Sequence, residues 1–363
     1  MNTNELALLI IAGGKSSRMG QDKRRLSLGA MTMLERNLVQ GKAAGFGEIY
    51  LCVEARSPFL SELADKYAVT LLTDKAPGLG PLSGLTQGLH TMQSSWGLAI
   101  AGDMPFIELA ALCRWGQELP TDAMALLPVA AGQLQPLAAF YHVKAAPHFQ
   151  QALTANKRAI RQILDSFPHQ AREYTSSAAH FFNVNTPADW RLVQGRSANL
   201  QRKTPLIAIT APASGTGKTT FIEKLLPRLR AQGIKTGVVK SDCHGFQLDM
   251  QGKDSFRFAQ AGAQGVAVVS PAGWFMVQKT DQSASLTEIT ANMQGMDLIL
   301  TESRTQYTLP AISLWRGQGQ PMTDEQVTAL FTTDPQSDNH DIYEFHIDDC
   351  KKAVEICLFL MGR

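Results

Sequence analysis

Short apolar runs alternate with segments of helical periodicity along the first half of the chain. An apolar run bounded by polar residues or glycine predicts a buried strand, whereas apolar residues spaced three or four apart predict a helix. The predicted strands are residues 6–11, 48–53, 69–73, 98–101 and 123–129, and the predicted helices lie near 31–44, 58–66, 82–93 and 106–116. This alternation predicts an α/β fold in which a mostly parallel sheet is covered on both faces.

The second half of the chain repeats this alternation after a polar interruption. Its predicted strands are residues 206–210, 235–240, 265–269 and 297–301, and its predicted helices are 218–231 and 253–262. Between the halves, residues 193–204 are polar and basic and show no apolar periodicity. We therefore predict two domains, residues 1–193 and 205–363, joined by a linker at 194–204. A length of 363 residues fits this division, because one domain usually takes roughly 100–200 residues.

Composition limits the classes of protein to which this chain can belong. With 44% hydrophobic and 18% charged residues, it has the profile of a globular protein without long disordered tracts. The net charge of only +2 predicts no nucleic-acid surface. The 5 cysteines include no Cys-x-x-Cys pair, which predicts neither a disulfide framework nor a zinc ribbon. The apolar run at 6–11 is too short for a signal-peptide core or a membrane span, so we expect a cytoplasmic protein without membrane contact.

A glycine-rich loop follows the first predicted strand. Its Gly13 and Gly14 let backbone N–H groups approach phosphate oxygens, and Arg18 and Lys23 add positive charge. In a reaction that splits the α–β bond of a nucleoside triphosphate, these cations would stabilise the negative charge that builds up on pyrophosphate. Taken alone, the motif also fits an ordinary glycine turn with two solvated basic side chains.

Asp103 lies directly after the predicted strand at 98–101. In a parallel sheet this carboxylate would lie beside the loop of the first strand, where a Mg²⁺ bound to a triphosphate needs an oxygen ligand. Because Pro105 and a helical pattern follow it, Asp103 fits a helix N-cap equally well. Position alone leaves both roles open.

The order of motifs over residues 6–192 resembles that of the molybdenum cofactor guanylyltransferases. The similar segments are residues 11–20, 22–23, 74, 80–85, 102–105, 135–138 and 182–187. The resemblance implies a Rossmann-like nucleotidyltransferase domain. The implied reaction transfers GMP from Mg-GTP to the terminal phosphate of the molybdopterin-bound cofactor and releases pyrophosphate.

The resemblance also implies roles for individual residues. The implied GTP contacts are Ile11, Ala12, Gly13, Gly14, Lys23, Asp74 and Asp103, with Asp74 on the guanine or ribose side. Arg18, Lys23 and Asp103 would be catalytic, and Asp103 and Asn185 would bind Mg²⁺. Arg158, Asn183 and Asn185 would line the pterin side, although Arg158 also fits a solvated helix start. One departure is Val53, which stands where the family often has an asparagine that contacts the nucleotide.

A second phosphate loop, Gly215-Thr216-Gly217-Lys218-Thr219-Thr220, follows the predicted strand at 206–210. In such a P-loop the backbone N–H groups surround phosphate oxygens, the lysine reaches the β- and γ-phosphates, and the Thr219 hydroxyl would bind Mg²⁺. The full pattern requires glycine at position 212, where this chain has Pro212. Proline fixes φ and removes an N–H group, so the entry to the loop is altered.

Segments over residues 205–316 resemble the GTP-binding adaptor protein of molybdopterin guanine dinucleotide synthesis. They are residues 239–240, 244, 252–257, 261–263 and 297–302. The resemblance implies a P-loop NTPase-like α/β domain, with Glu302 as a Mg²⁺ or water-positioning residue; an ordinary strand-end carboxylate remains the alternative. Because Ser303 replaces the family's usual glycine, GTP hydrolysis is in question.

Two other clusters favour structural roles. Cys243 and His244 lack a second ligand pair at metal-site spacing. Residues 274–276, Trp-Phe-Met, fit a core or an interface better than a stacking platform.

The combined hypothesis is a bifunctional enzyme that uses Mg²⁺, GTP and molybdopterin cofactor. Its expected partners are molybdoenzymes or their chaperones, and it would form a homo-oligomer through the second domain. Two alternatives remain. One is a nucleotidyltransferase that uses CTP or a sugar phosphate, and the other is a non-catalytic, GTP-regulated cofactor carrier.

Overall fold

The computed structural model describes residues 2–13, 19–74, 78–241, 253–280, 284–302, 308–336 and 338–363. The chain forms two compact units. The first unit consists of Met1–Ser197, Asp338–Tyr343 and Gly362–Arg363, and the second of Ala198–Ser337 and Glu344–Met361. The first unit is therefore discontinuous in sequence.

The first unit contains a central mixed sheet flanked by helices. The strands of this unit are β1 (Leu6–Ile11), β2 (Ser27–Leu28), β3 (Met31–Thr32), β4 (Glu48–Val53), β5 (Thr70–Thr73), β6 (Trp96–Ala101), β7 (Ala125–Ala130), β8 (Gln133–Leu134), β9 (Ala138–His142) and β10 (His169–Glu173). Strands β2 and β3 form a separate antiparallel pair. The helices of this unit are α1 (Met33–Ala44), α2 (Pro58–Lys66), α3 (Pro81–Thr91), α4 (Leu109–Cys113), α5 (Ala146–Thr154), α6 (Ile160–Leu164) and α7 (Pro187–Leu200). The α/β fold is thus confirmed, while β9 and β10 were not predicted.

The central sheet is mostly parallel and has the order β10-β7-β9-β6-β1-β4-β5. Strand β9 runs antiparallel to both of its neighbours, β6 and β7. The side chains of β1 alternate between two cores: Leu6, Leu8 and Ile10 pack on one face, and Ala7, Leu9 and Ile11 on the other. Both faces of the sheet are therefore buried, which is why β1 is apolar throughout instead of alternating with polar residues. Each fully buried leucine contributes about 1.5–3 kcal/mol to folding.

The segment predicted as a linker, residues 194–204, begins inside helix α7. Its polar residues hide the helical pattern because they are buried: Arg196 is 3% exposed and Asn199 is 1% exposed. The Arg196 guanidinium lies 4.8 Å from the centre of the Phe106 ring and donates a hydrogen bond to the Gly362 carbonyl. The first part of the predicted linker, up to Leu200, is therefore helical.

The second unit is built on a sheet of order β12-β15-β11-β16-β17-β18. Its strands are β11 (Leu206–Thr210), β12 (Thr236–Lys240), β13 (Gly265–Ser270), β14 (Gly273–Gln278), β15 (Leu298–Glu302), β16 (Ala311–Trp315), β17 (Val327–Thr332) and β18 (Tyr343–His346). Its helices are α8 (Lys218–Ala231), α9 (Asp254–Gln260), α10 (Leu286–Ala291) and α11 (Cys350–Met361). Strand β11 pairs in parallel with β15 and β16, and β12 pairs in parallel with β15.

Strands β13 and β14 form a separate antiparallel hairpin in the second unit. The side chains of Trp274, Phe275 and Met276 on β14 are exposed. The prediction that they belong to a core was therefore wrong, because the hairpin does not join the main sheet. Their role in an interface remains a prediction. In the described part of the chain, no helix combines the length and the apolar character needed to cross a membrane.

Candidate functional site

The carboxyl ends of β1 and β6 bring the backbone of the first loop against that of the Asp103 segment. The Gly102 N–H donates to the Ile11 carbonyl at 2.8 Å, and the Ala12 N–H donates to the Cys52 carbonyl at 2.8 Å. A Cβ atom on Gly102 would lie only 3.1 Å from the Ala12 Cβ, so the close approach of the two loops requires glycine at 102. The two strand ends therefore form one edge of a site.

The Lys23 ammonium lies at the centre of this edge. It forms an ion pair with the Asp103 carboxylate and donates to Asn185 Oδ1 and the Val184 carbonyl, each at 3.2 Å. The side chains of Lys23 and Asp103 are 18% and 17% exposed, so the ion pair is largely shielded from water. The structure thus joins Lys23, Asp103 and Asn185, which lie far apart in the sequence.

A short 3-10 turn positions Lys23. Asp22 precedes the turn, and its carboxylate accepts hydrogen bonds from the Arg24 backbone N–H at 3.1 Å and from the Arg24 guanidinium at 2.8 Å. Burial favours the protonated carboxyl, but the bonds and charge of Arg24 outweigh burial and hold the pKa of Asp22 below its usual value. Asp22 therefore stays ionised and fixes the turn that carries Lys23.

The loop before α7 positions Asn185. The Val184 N–H donates to the Asp103 carbonyl at 3.0 Å, which ties the loop to the end of β6. Asp189 Oδ2 accepts from the Asn185 and Thr186 N–H groups, each at 2.8 Å, and the Asp189 N–H donates to Thr186 Oγ1 at 3.1 Å. This reciprocal pair is a capping box, which fixes the start of the helix and the preceding residue together.

The remaining predicted residues of the first site occupy separate positions. Asp74 follows β5, and its Oδ2 lies 4.0 Å from where a Cβ on Gly13 would be. Burial raises the pKa of Asp74, and the negative charge of Glu54 raises it further. A hydrogen bond from Ser83 offsets part of this rise. Asn183 donates to the Phe181 carbonyl at 3.1 Å.

Arg158 makes contacts near the glycine turn that precedes α3. Its guanidinium donates to the Gly78 carbonyl at 2.7 Å and to Asn156 Oδ1 at 3.2 Å. Neither bond involves Asn183 or Asn185, so the assignment of Arg158 to the pterin side remains a prediction. Gly14 and Arg18 lie outside the described residues.

The oxygen atoms at the first site fit a magnesium ion. Asp103 Oδ2 and Asn185 Oδ1 both contact the Lys23 ammonium, so they converge on a position that suits a cation. Carboxylate and amide oxygens are hard ligands, and Mg²⁺ on a nucleotide usually takes only one or two of them from the protein. Within the described ranges, no group of three or more His, Cys, Asp or Glu side chains is arranged to hold a metal ion.

The second candidate site lies where β11 leads into α8. Gly215 and Gly217 have φ angles of 74° and 100°, a left-handed conformation that favours glycine. Thr216 is buried and its hydroxyl donates to the Ala213 carbonyl at 2.9 Å, which closes the loop. Lys218 begins α8, so the loop leads directly into the N-terminal N–H groups of this helix.

Residues from the neighbouring strands flank this P-loop. On one side the Thr219 hydroxyl donates to both Glu302 carboxylate oxygens, at 3.0 and 3.1 Å, and Thr220 is exposed beside it. On the other side Arg316 Nη2 lies 3.5 Å from where a Cβ on Gly217 would be. The loop thus has a hydroxyl and a carboxylate on one side and a guanidinium on the other. Pro212 is accommodated at the loop entry, where its Cβ lies 3.8 Å from a Cβ placed on Gly319.

Sequence reasoning missed Arg316 and Asp189. Arg316 follows β16, a neighbour of β11, but this adjacency appears only once the strand order is known. Asp189 had a local signal, because Thr186 and Asp189 have the spacing of a capping box at a helix start. Cys243, His244 and Ser303 lie outside the described residues.

Three of the four described cysteines are poor candidates for an activated nucleophile. Burial raises the pKa of Cys113 to about 11, and it also raises the pKa values of the fully buried Cys52 and Cys357. A thiol that stays protonated at neutral pH is a poor nucleophile.

Comparisons with known proteins divide the chain in the same way as the two loops. A family model described as "MobA-like NTP transferase domain" matches residues 8–173, and one described as "Molybdopterin guanine dinucleotide synthesis protein B" matches residues 206–333. A probable molybdenum cofactor guanylyltransferase from Chloroflexus aggregans is 36% identical over 203 residues, which cover 51% of this chain and 92% of the relative.

A molybdopterin-guanine dinucleotide biosynthesis adapter protein from Haemophilus influenzae is 36% identical over 141 residues, 38% of this chain and 79% of the relative. A crystal structure of molybdopterin-guanine dinucleotide biosynthesis protein A from Archaeoglobus fulgidus is 23% identical, with a TM-score of 0.43, over 52% of this chain and 96% of that chain. From the sequence relatives, the chain belongs to the molybdenum cofactor guanylyltransferase family over its N-terminal part and to the molybdopterin-guanine dinucleotide biosynthesis adapter family over its C-terminal part.

Proposed function

We propose that the first unit transfers GMP from GTP to the molybdopterin-bound molybdenum cofactor, forming molybdopterin guanine dinucleotide and pyrophosphate. The observation that carries this proposal is the convergence of Lys23, Asp103 and Asn185 at the carboxyl edge of the sheet, beside the glycine loop. Ligands on α/β sheets bind at this edge. Membership of the guanylyltransferase family supplies the choice of substrates.

The chemistry requires charge stabilisation more than a nucleophilic side chain. An oxygen of the cofactor's terminal phosphate attacks the α-phosphorus of GTP, and the bond to the bridging oxygen breaks as pyrophosphate leaves. Lys23 would stabilise the charge that develops on the leaving group. Asp103 and Asn185 would hold Mg²⁺, which when bound supplies a Lewis acid for the phosphate oxygens. The attacking phosphate is already an anion at neutral pH, so no strong general base is needed.

Pyrophosphate release by the full-length protein tests this function. With Mg²⁺ and molybdenum cofactor present, we expect GTP to support turnover and CTP not to; turnover with CTP alone would overturn the guanylyl assignment. We expect Asp103→Ala to abolish transfer, because it removes the proposed metal ligand. Asp65→Ala is the matched control, since Asp65 is an exposed carboxylate on α2 of the same unit. Undiminished transfer by Asp103→Ala would show that the activity does not reside in the first site, whereas no transfer by the wild-type protein would favour a carrier role.

For the second unit we propose GTP binding at the P-loop, with Lys218 on the β- and γ-phosphates and Thr219 and Glu302 near Mg²⁺. The hydrogen bonds from Thr219 to Glu302 support this arrangement, because they place a hydroxyl and a carboxylate beside the helix N-terminus. We further propose that the second unit serves as an adapter for the first unit. Its partners would be molybdoenzymes or their chaperones, and the protein would be cytoplasmic.

We also propose that the second unit pairs with a second copy through the β13–β14 hairpin. Val269 and Trp274 face each other across the hairpin and are 78% and 62% exposed. An isolated two-stranded hairpin is marginal in water, so exposed apolar side chains on it favour packing against a partner. We expect Trp274→Ser to convert a dimer to a monomer in sedimentation velocity, whereas Ile289→Ser on α10 leaves the dimer intact. A wild-type protein that stays monomeric at all concentrations would refute this pairing.

A further inference from the structure

Tyr343 belongs to the first unit, although it is also the first residue of strand β18. Its hydroxyl donates a hydrogen bond to Asp189 Oδ1. The Asp189 side chain is buried, and the residue is only 6% exposed. A buried carboxylate oxygen needs a hydrogen-bond donor, and Tyr343 supplies one to Oδ1.

Backbone contacts anchor the Asp338–Tyr343 segment on the same helix. The Ala188 N–H donates to the His340 carbonyl at 3.0 Å. The Arg191 side chain donates to the Asp341 carbonyl at 2.9 Å. The segment therefore contacts successive turns at the start of α7, and the position of Tyr343 is set by more than its own side chain.

Asp189 passes this contact on to the candidate active site. Its second oxygen, Oδ2, accepts from the Asn185 and Thr186 N–H groups at 2.8 Å each. Asn185 Oδ1 in turn accepts from the Lys23 ammonium at 3.2 Å, and Lys23 pairs with Asp103. A continuous series of hydrogen bonds thus runs from the Tyr343 hydroxyl to the proposed catalytic lysine.

We propose that Tyr343 is a positioning residue for GMP transfer, which holds Asp189 so that the Asn185 loop presents its amide oxygen to Lys23 and the metal. The inference rests on the proposed function of the first unit. Burial raises the pKa of Tyr343, and the hydrogen bond to Asp189 raises it further. The phenol therefore stays protonated and can donate throughout the neutral pH range. Without this donor, the buried Oδ1 would lack its partner, and the carboxylate could turn away from the two N–H groups.

Tyr343→Phe in the full-length protein tests the inference, because it removes only the hydroxyl. Tyr50→Phe is the matched control, because Tyr50 is also buried and donates to a carboxylate, Glu48, at 2.6 Å. Glu48 is the first residue of β4, so this bond lies at the amino end of the strand, whereas the candidate site lies at the carboxyl ends. We expect kcat for GMP transfer to fall about tenfold in Tyr343→Phe, with KM for GTP within about twofold of wild type, because small displacements of a catalytic group mainly affect the transition state. Tyr50→Phe should keep both parameters.

A second measurement reads the position of Lys23 without any turnover. Trace acetylation followed by mass spectrometry reports the reactivity of each lysine amine. We expect Lys23 to become more reactive in Tyr343→Phe and to remain as in wild type in Tyr50→Phe, because loosening the Asn185 loop releases one of the acceptors of the ammonium. Asp189→Asn, which weakens the acceptor of both N–H groups, should give the same kinetic and labelling changes.

The two measurements separate the inference from the function on which it rests. A wild-type kcat in Tyr343→Phe or Asp189→Asn overturns the positioning role. If the wild-type protein transfers no GMP, the proposed function fails, and the labelling alone decides: increased Lys23 reactivity in Tyr343→Phe supports the positioning role, and unchanged reactivity overturns it.

Discussion

Replacing Lys23 by glutamine tests the electrostatic account of catalysis most directly. The ammonium contacts Asp103, Asn185 and the Val184 carbonyl, and its side chain is only 18% exposed. Glutamine retains a hydrogen-bond donor of similar reach but loses the charge. Removing one preorganised donor from a transition-state site costs about 10²–10³-fold in kcat, or about 2.7–4 kcal/mol. We therefore expect this loss in kcat, with much less change in KM for GTP.

The same substitution should have a smaller effect on folding. A hydrogen bond to a charged group contributes about 1.5–3 kcal/mol, and Asp103 keeps partial contact with water, so we expect the lower end of that range in urea denaturation. Lys66→Gln is the matched control, because Lys66 forms an ion pair with Glu35 at 2.9 Å but is 61% exposed. Water screens an exposed ion pair, so we expect its loss to change stability little. A Lys23→Gln enzyme whose kcat stays within tenfold of wild type, while Lys66→Gln behaves as wild type, would refute the electrostatic role.

Three further predictions concern the second site and the pH dependence of stability. Lys218→Ala in the full-length protein should reduce the GTP binding stoichiometry in calorimetry by one site; an unchanged stoichiometry would mean that the P-loop does not bind GTP. Arg316→Ala should weaken GTP binding there by about tenfold, as expected for loss of one charged contact, and Arg316→Lys should restore part of the affinity; equal affinities in all three proteins would exclude a phosphate contact. Burial lowers the pKa of His180 below 6.5. The positive charge of Arg196 also lowers it, and the negative charge of Glu108 offsets part of the decrease. The native state then binds this proton less readily than the unfolded state, so stability should fall as the pH drops from about 6.5 through the lower folded pKa. His180→Gln should flatten this part of the urea-denaturation profile, and an unchanged slope would contradict it.

The fold was predictable where burial is expressed in the local pattern. Strand β1 is apolar on both faces, and the predicted strands and helices around it were found with shifts of a few residues at their ends. Strand β10 could not be predicted in this way, because its residues are mostly exposed and polar. It exists because its backbone pairs with β7, and pairing between distant segments leaves no apolar signature. Helix α7 was hidden for the opposite reason, since its polar Arg196 and Asn199 are buried.

The candidate sites show the same limit. Asp103 and Glu302 were identified because each follows an apolar strand, and the carboxyl end of a strand is where such sheets bind ligands. The hydrogen bond between Lys23 and Asn185 joins residues 162 positions apart and depends on tertiary structure. The resemblance assigned a role to each residue but did not predict this bond. Arg316 and Tyr343 belong to no motif. Their roles follow from which strands are neighbours and from a chain segment that returns to the first unit.

The return of Asp338–Tyr343 to the first unit affects how the protein is made. Domains generally fold as they emerge from the ribosome, which adds roughly 5–20 residues per second. Here residues Ala198–Ser337 must be synthesised before Asp189 can meet Tyr343, a delay on the order of ten seconds. During that interval the Asp189 carboxylate lacks its phenol donor. The guanylyltransferase unit therefore reaches its final structure only after most of the adapter unit has been translated, which links maturation of the enzyme to the presence of its fused partner.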